Sequence, residues 1–244
     1  KCNPGFFCPT GQTEANPSSF VCLAGHYCEE GSPTSTACPT GTFSNSTGNT
    51  NVSDCKPCTP GYYCDSPGLI EENGMCDGGF YCPEGQTTAT PSAYRCPMGD
   101  YCPQGSPAPV VCERGSYNYL DGQATCLPCP ERFYCDPHDL GNVTGIISPV
   151  NCPQGYYCPT STQYNYQNPC PSGSYGSVEL LASDSECFPC DPGKYCQTPG
   201  LTTFEGPCSA GYVCSFGANS STPTDGTTGR PCPEGQYCPE GSST

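Results

Sequence analysis

Apolar and polar positions along this chain are organised around cysteine. The spacing Cys, five residues, Cys occurs ten times, opening at Cys2, Cys22, Cys58, Cys76, Cys96, Cys129, Cys152, Cys190, Cys208 and Cys232. Within it a Gly stands three places after the first Cys in nine of ten copies, Arg132 being the departure. The residue before the second Cys is aromatic in nine of ten (Phe7, Tyr27, Tyr63, Tyr81, Tyr101, Tyr134, Tyr157, Tyr195 and Tyr237), with Val213 the exception. Gly in C-x-x-G, preceded by Pro at Pro4, Pro60 and Pro192, predicts a tight turn with positive φ at Gly. The ring before the closing Cys is the largest apolar surface within reach and predicts a core of one or two cystines capped by Tyr or Phe, the hydroxyl reaching water or backbone. Since each ring is tied to a Cys and not to one exposed face, the comb reads as core and not as a ligand platform. The elements expected are short β-hairpins and turns, with almost no helix.

The other six cysteines fall into three equivalent places. A lone Cys38, Cys112 or Cys170 opens C-x-x-G-[ST]-[FY] and is followed by Cys-x2-Cys at Cys55/Cys58, Cys126/Cys129 and Cys187/Cys190. Blocks therefore start at 38, 112 and 170: an eight-Cys block over 38–111, a six-Cys block over 112–169 and an eight-Cys block over 170–244. The intervals Cys2, Cys8, Cys22, Cys28, Cys38 repeat those of Cys76, Cys82, Cys96, Cys102, Cys112, so 1–37 reads as the tail of a truncated block and the whole as a window on a tandem array continuing at both ends.

Composition explains why cysteine sets the pattern. Leu, Ile, Val and Phe together make 28 of 244 residues, about 11%, where a chain below ~20% is ordinarily disordered. Aliphatic burial alone cannot fold it. The 30 Gly and 30 Pro oppose long helices and wide sheets, and 26 Cys mark a disulfide scaffold. Cystines at this density persist only in an oxidising compartment, which places the protein outside the cell or at its surface. A net charge of -16 opposes nucleic acid and anionic membrane faces as partners. No stretch reaches a membrane-span length and no signal peptide opens the chain, consistent with a mature product or an internal piece.

An even cysteine count allows complete internal pairing, but spacing alone does not give the connectivity. The preferred scheme bridges each lone Cys to the first Cys of Cys-x2-Cys: Cys38–Cys55, Cys112–Cys126 and Cys170–Cys187. Successive C-x5-C segments then interleave as Cys58–Cys76 with Cys64–Cys82, Cys129–Cys152 with Cys135–Cys158, and Cys190–Cys208 with Cys196–Cys214. Cys96–Cys102 and Cys232–Cys238 close on themselves. The competing scheme closes every C-x5-C locally.

The segment CPTGTFSNSTGNTNVSDCKPCTPGYYC, Cys38 to Cys64, resembles the cysteine-rich repeat of ephrin-receptor-like extracellular proteins and is similar in layout to tumour-necrosis-factor-receptor-like modules. The resemblance covers nearly the whole chain through the C-x5-C segments between block heads. It implies an extracellular place and a role as stalk, spacer or ligand-contacting rod. The third head departs from it: Val178 to Leu181 replaces the Gly seen at Gly48 and Gly122, which leaves its loop conformation open.

No residue pattern points to catalysis. His26 and His138 sit in unrelated contexts without a nucleophile partner. Cys-x2-Cys is a zinc-ligand spacing, but each copy runs on into C-x5-C and not into a second pair, so disulfides are the better reading and no metal or cofactor is expected. Glu29-Glu30 and Glu71-Glu72 lack a D-x-D-x-D-G loop and read as solvated surface. N-linked glycans are expected at the sequons Asn45, Asn51, Asn142 and Asn219, and O-linked sugars or bare linkers at Ser32–Thr36, Thr87–Ser92 and Ser220–Thr228. The fold class is thus tandem small disulfide-rich modules forming an elongated rod. The function expected is a structural, non-catalytic extracellular glycoprotein, as stalk, matrix element or filament subunit, self-associating or joined to other matrix proteins. The alternative is a ligand-binding receptor ectodomain, which calls for one block with a distinctive exposed patch; the sequence singles out none.

Overall fold

The structure, a computed structural model, describes residues 1–137 and 145–244. It divides into two compact units, 1–111 with 120–126, and 112–119 with 127–244. Both are built from the same module. Regular structure among the described residues is confined to strands of two or three residues and short 3-10 turns such as Val52–Asp54 and Asp184–Glu186, as the Gly and Pro content predicts.

Each module opens with the expected turn. At Thr59-Pro60-Gly61-Tyr62 the Tyr62 N–H donates to Thr59 C=O at 3.0 Å with Gly61 at φ 90°, a type II pattern in which Pro presets the second position and Gly supplies the third. The two residues before the next opening Cys then pair antiparallel with the residues around the aromatic: Tyr62–Tyr63 with Gly74–Met75, Asp100–Tyr101 with Val110–Val111, Lys194–Tyr195 with Gly206–Pro207. Single bridges Phe6 to Val21, Phe80 to Arg95 and Tyr156 to Pro169 do the same where no strand is long enough to name.

Successive modules are joined by a fixed set of backbone bonds. Cys76 N–H donates to Gly61 C=O at 3.0 Å, Gly61 N–H to Cys82 C=O at 2.8 Å, Gly85 N–H to Cys58 C=O at 2.8 Å, and Cys64 N–H to Gln86 C=O at 2.8 Å. The same four recur far along the chain: Cys232 to Gly211, Gly211 to Cys238, Gly241 to Cys208 and Cys214 to Ser242, at 2.8–3.0 Å. Backbone groups buried beside the cystines are therefore satisfied by the following module and not within their own.

This ladder shows that the three lone-Cys heads are the same module, not a second kind. CPTGTFS from Cys38 and CPSGSYG from Cys170 keep the turn and the aromatic and place Ser44 and Gly176 where the closing Cys would stand. Gly25 N–H donates to Ser44 C=O at 2.7 Å, as Gly5 N–H does to Cys28 C=O at 2.8 Å, and Gly155 N–H donates to Gly176 C=O at 2.9 Å. Only the disulfide is redirected, to Cys38–Cys55 and Cys170–Cys187.

The interleaved bridges are not formed. The structure pairs Cys58–Cys64 and Cys76–Cys82 in place of Cys58–Cys76 and Cys64–Cys82. It pairs Cys129–Cys135 and Cys152–Cys158 in place of Cys129–Cys152 and Cys135–Cys158. It pairs Cys190–Cys196 and Cys208–Cys214 in place of Cys190–Cys208 and Cys196–Cys214. Cys2–Cys8, Cys22–Cys28, Cys96–Cys102 and Cys232–Cys238 close in the same way, and Cys112 and Cys126 are both disulfide-bonded. The physical reason is the turn: it folds C-x5-C back on itself and brings the Cα atoms of Cys58 and Cys64 to 6.0 Å, inside the range a disulfide spans. Glutamate-specific digestion without reduction tests this directly. Cleavage after Glu72 and Glu84 is expected to release 73–84 as a free peptide holding its own Cys76–Cys82 bridge; interleaved pairing would leave it covalently attached to the peptide carrying Cys58 and Cys64.

In the second unit the core is made of cystines with rings laid against them. Tyr134 packs on Cys152 and Cys158, Tyr157 on Cys170 and Cys187, and Tyr195 on Cys208 and Cys214. Each aromatic thus covers the cystine of the next module. In the first compact unit Phe7 meets Phe20 and Tyr81 meets Tyr94 edge-to-face at 5.3 Å, an arrangement favoured by the ring quadrupoles.

Candidate functional site

Non-glycine residues hold glycine positions of the module at three places, Arg132, Ser161 and Leu180, and the structure connects the first and the last. Arg132 occupies the motif glycine position at φ 76°, and Leu180 takes φ 64° where Gly48 and Gly122 have 75° and 69°. The third head therefore keeps the loop conformation of the other two without their glycine. At most other modules the motif glycine lies against the carbonyl of the second turn two modules on, as Gly41 does against Gly85. At Arg132 the guanidinium meets that carbonyl instead: one Nη donates to Leu180 C=O at 2.6 Å and to Glu186 Oε2 at 3.0 Å, the other to Glu186 Oε1 at 2.7 Å. A bidentate fork of this kind fixes geometry as well as charge.

Glu186 also accepts from Ala182 N–H at 2.9 Å. That backbone bond first, and the Arg132 hydrogen bond second, hold its carboxyl below the ordinary glutamate value. A carboxylate whose folded pKa is depressed adds stability above its unfolded pKa, and that stability is lost as pH falls through the folded value. Acidification below about 4.3 is thus expected to loosen the contact of Arg132 with Leu180 and Glu186 in the native protein. Glu186→Gln, which cannot titrate, is expected to lack this step in a thermal-unfolding series against pH.

A second cluster lies in the six-Cys block. Arg114 Nε is 3.0 Å from the buried Asp136 carboxylate, one Nη donates to the Tyr164 hydroxyl at 2.9 Å, and the guanidinium carbon lies 4.8 Å from the Tyr164 ring centroid. Burial lowers the affinity of Arg114 for its proton, but Tyr164 and Asp136 more than offset this and hold it fully charged. Tyr164 stacks on Tyr166 at 5.7 Å and 21° between planes, and Tyr117 stacks on Tyr119 at 6.1 Å and 23°. Both pairs are written Y-N-Y, at 117–119 and 164–166. That repetition was legible in the sequence; the Arg114 contact, fifty residues away from Tyr164, was not.

The residues singled out from sequence are scattered. Asn45 and Asn219 are exposed. Asn51 is exposed but caps Val52–Asp54, its Oδ1 accepting from Ser53 N–H at 2.9 Å and its Nδ2 donating to Thr50 Oγ1 at 3.1 Å. Asn142 and His138 lie outside the described residues. His26 places Nδ1 3.2 Å from Ala24 C=O. Glu29 and Glu30 are exposed, as is Glu71, and Glu72 accepts from Thr59 Oγ1 at 2.9 Å. Among the described residues no group of three His, Cys, Asp or Glu is placed to hold a metal ion, and no helix is long and apolar enough to cross a membrane.

No family model matches the chain. It is similar to cysteine repeat modular protein A of Toxoplasma gondii, 34% identical over 110 residues, covering 41% of this chain and 3% of that protein. It is similar to signal peptide, CUB and EGF-like domain-containing protein 2 of Homo sapiens, 30% identical over 168 residues, covering 69% and 15%. It is also similar to sushi, von Willebrand factor type A, EGF and pentraxin domain-containing protein 1 of Rattus norvegicus, 27% identical over 226 residues, covering 76% and 6%. The chain thus spans a small fraction of each of these curated relatives. They support cysteine-rich extracellular repeats in general, and not the ephrin-receptor-like or tumour-necrosis-factor-receptor-like type in particular. With its disulfide-bonded tandem modules, the chain is an extracellular cysteine-rich repeat protein.

Proposed function

We propose that the chain is a structural, non-catalytic spacer: a glycosylated segment of a stalk, matrix element or surface filament that associates with further copies or with other matrix proteins. The observation that carries this reading is the constancy of the inter-module ladder. Within each compact unit, modules satisfy the backbone of the one before with the same four hydrogen bonds, so modules add without a new core for each one, as in other repeat proteins whose contacts are between neighbours. Local cystines let each module hold its turn even if a neighbour opens. Negative-stain electron microscopy with a glycan stain on the same preparation tests it. Long uniform fibres with a regular axial repeat would support a filament; dispersed particles at high concentration would remove self-association from the proposal.

A further inference from the structure

We infer that the six-Cys block carries a binding surface for a neutral, hydroxyl-rich chain molecule, an oligosaccharide, laid across its two tyrosine stacks. This goes beyond the spacer reading and does not rest on it. The ring that packs on the Cys152–Cys158 cystine is consumed as core, Tyr134 being 8% exposed. Tyr166 and Tyr119 are not. They are 65% and 51% exposed, and each lies face to face on a tyrosine held from below, Tyr164 by Arg114 and Tyr117 by the Cys129–Cys135 cluster.

The exposed rings are therefore pre-oriented on a disulfide-locked base, and binding need not order them. The Tyr164–Tyr166 loop is itself closed: Gln167 Oε1 accepts from Gln163 N–H at 2.8 Å, and Gln167 N–H donates to Tyr164 C=O at 3.3 Å. The two stacks belong to segments that touch, through Arg114 with Tyr164 and through Gly115, whose Cβ position lies 3.1 Å from Gln163 Cγ.

The character of the surface selects the ligand. Flat exposed ring faces receive the C–H face of a sugar ring, and the phenol edge offers a hydroxyl partner. The polar side chains flanking the second stack, Gln163 and Asn165, are neutral amides, which both donate and accept and so suit vicinal hydroxyls. Arg114 beneath the second stack is already engaged by Asp136 and Tyr164, and the chain carries a net charge of -16, so an anionic ligand is disfavoured.

Titration calorimetry on the intact chain with chitotetraose, cellotetraose and maltotetraose tests the inference. At least one probe is expected to bind with Kd below about 5 mM. Tyr166→Ala and Tyr119→Ala are each expected to weaken it at least tenfold, or ~1.4 kcal/mol, while Tyr166→Phe retains binding because the ring face remains. An unchanged non-reduced peptide map and thermal midpoint for each variant establishes that the fold is intact. Failure of all three sugars to bind, equal binding by the alanine variants, or binding of a decaproline peptide to the wild type where no sugar binds would each overturn it. None of these results bears on the spacer, which is judged by microscopy.

Discussion

Gly41→Ala is expected to lower the unfolding midpoint far more than the same change at Gly211. Both glycines hold the motif position, at φ 81° and 87°, so alanine at either incurs the left-handed backbone cost, roughly 1–2 kcal/mol. The surroundings differ. A Cβ on Gly41 would stand 2.6 Å from the Gly85 carbonyl oxygen, whereas nothing lies within 4 Å of one on Gly211. The obstacle at Gly41 is backbone, itself tied to the ladder by the Gly85 N–H bond to Cys58, and cannot rotate away as a side chain would. Overpacking of this kind adds about 1–3 kcal/mol. Thermal or denaturant unfolding under oxidising conditions measures the difference. Equal effects at the two sites would mean that contact two modules along the chain does not exist in solution.

Removing the redirected bridge of the third head, by Cys170→Ala together with Cys187→Ala, is expected to be the most damaging disulfide deletion in that region. It opens a sequence separation of 17, against 6 for a local cystine, worth about 3 kcal/mol on the chain-entropy model. It also removes the cystine on which Leu181 and Tyr157 pack, in a chain with little other apolar material. The damage should stay near the head. Hydrogen exchange is expected to show lost protection at Cys170, Gly173 and Leu180, whose N–H groups bond Gly155, Cys196 and Cys152, while Cys232, bonded to Gly211, stays protected. Uniform loss along the chain would contradict nearest-neighbour stability.

Much of the local structure was legible because the motif residues have few conformational alternatives. Pro60-Gly61 admits one turn, and the aromatic before each closing Cys had to be core where Leu and Ile are scarce. The disulfide scheme was not legible because spacing reports which cysteines are near in the chain, whereas a bridge depends on how the turn aims them; here the turn brings the two ends of C-x5-C within disulfide reach. The three heads were set apart for a similar reason. Ser44 and Gly176 share no chemistry with cysteine, yet their backbone carbonyls occupy the closing-Cys place in the ladder. The candidate site was half visible: the two Y-N-Y segments are written in the chain, but their stacking and the Arg114 support are not.

By itself, then, the sequence determined the turn module, its repetition, its reliance on cystine and the kind of compartment, since these follow from residue types at short fixed spacing. Tertiary structure decided which cystines close, which module each aromatic covers, and how Arg132 and Leu180 fit where glycine is the rule. Those depend on contacts one and two modules away, where the Arg132 guanidinium meets Leu180 and Glu186 across 48 and 54 residues, and no local preference reaches that far.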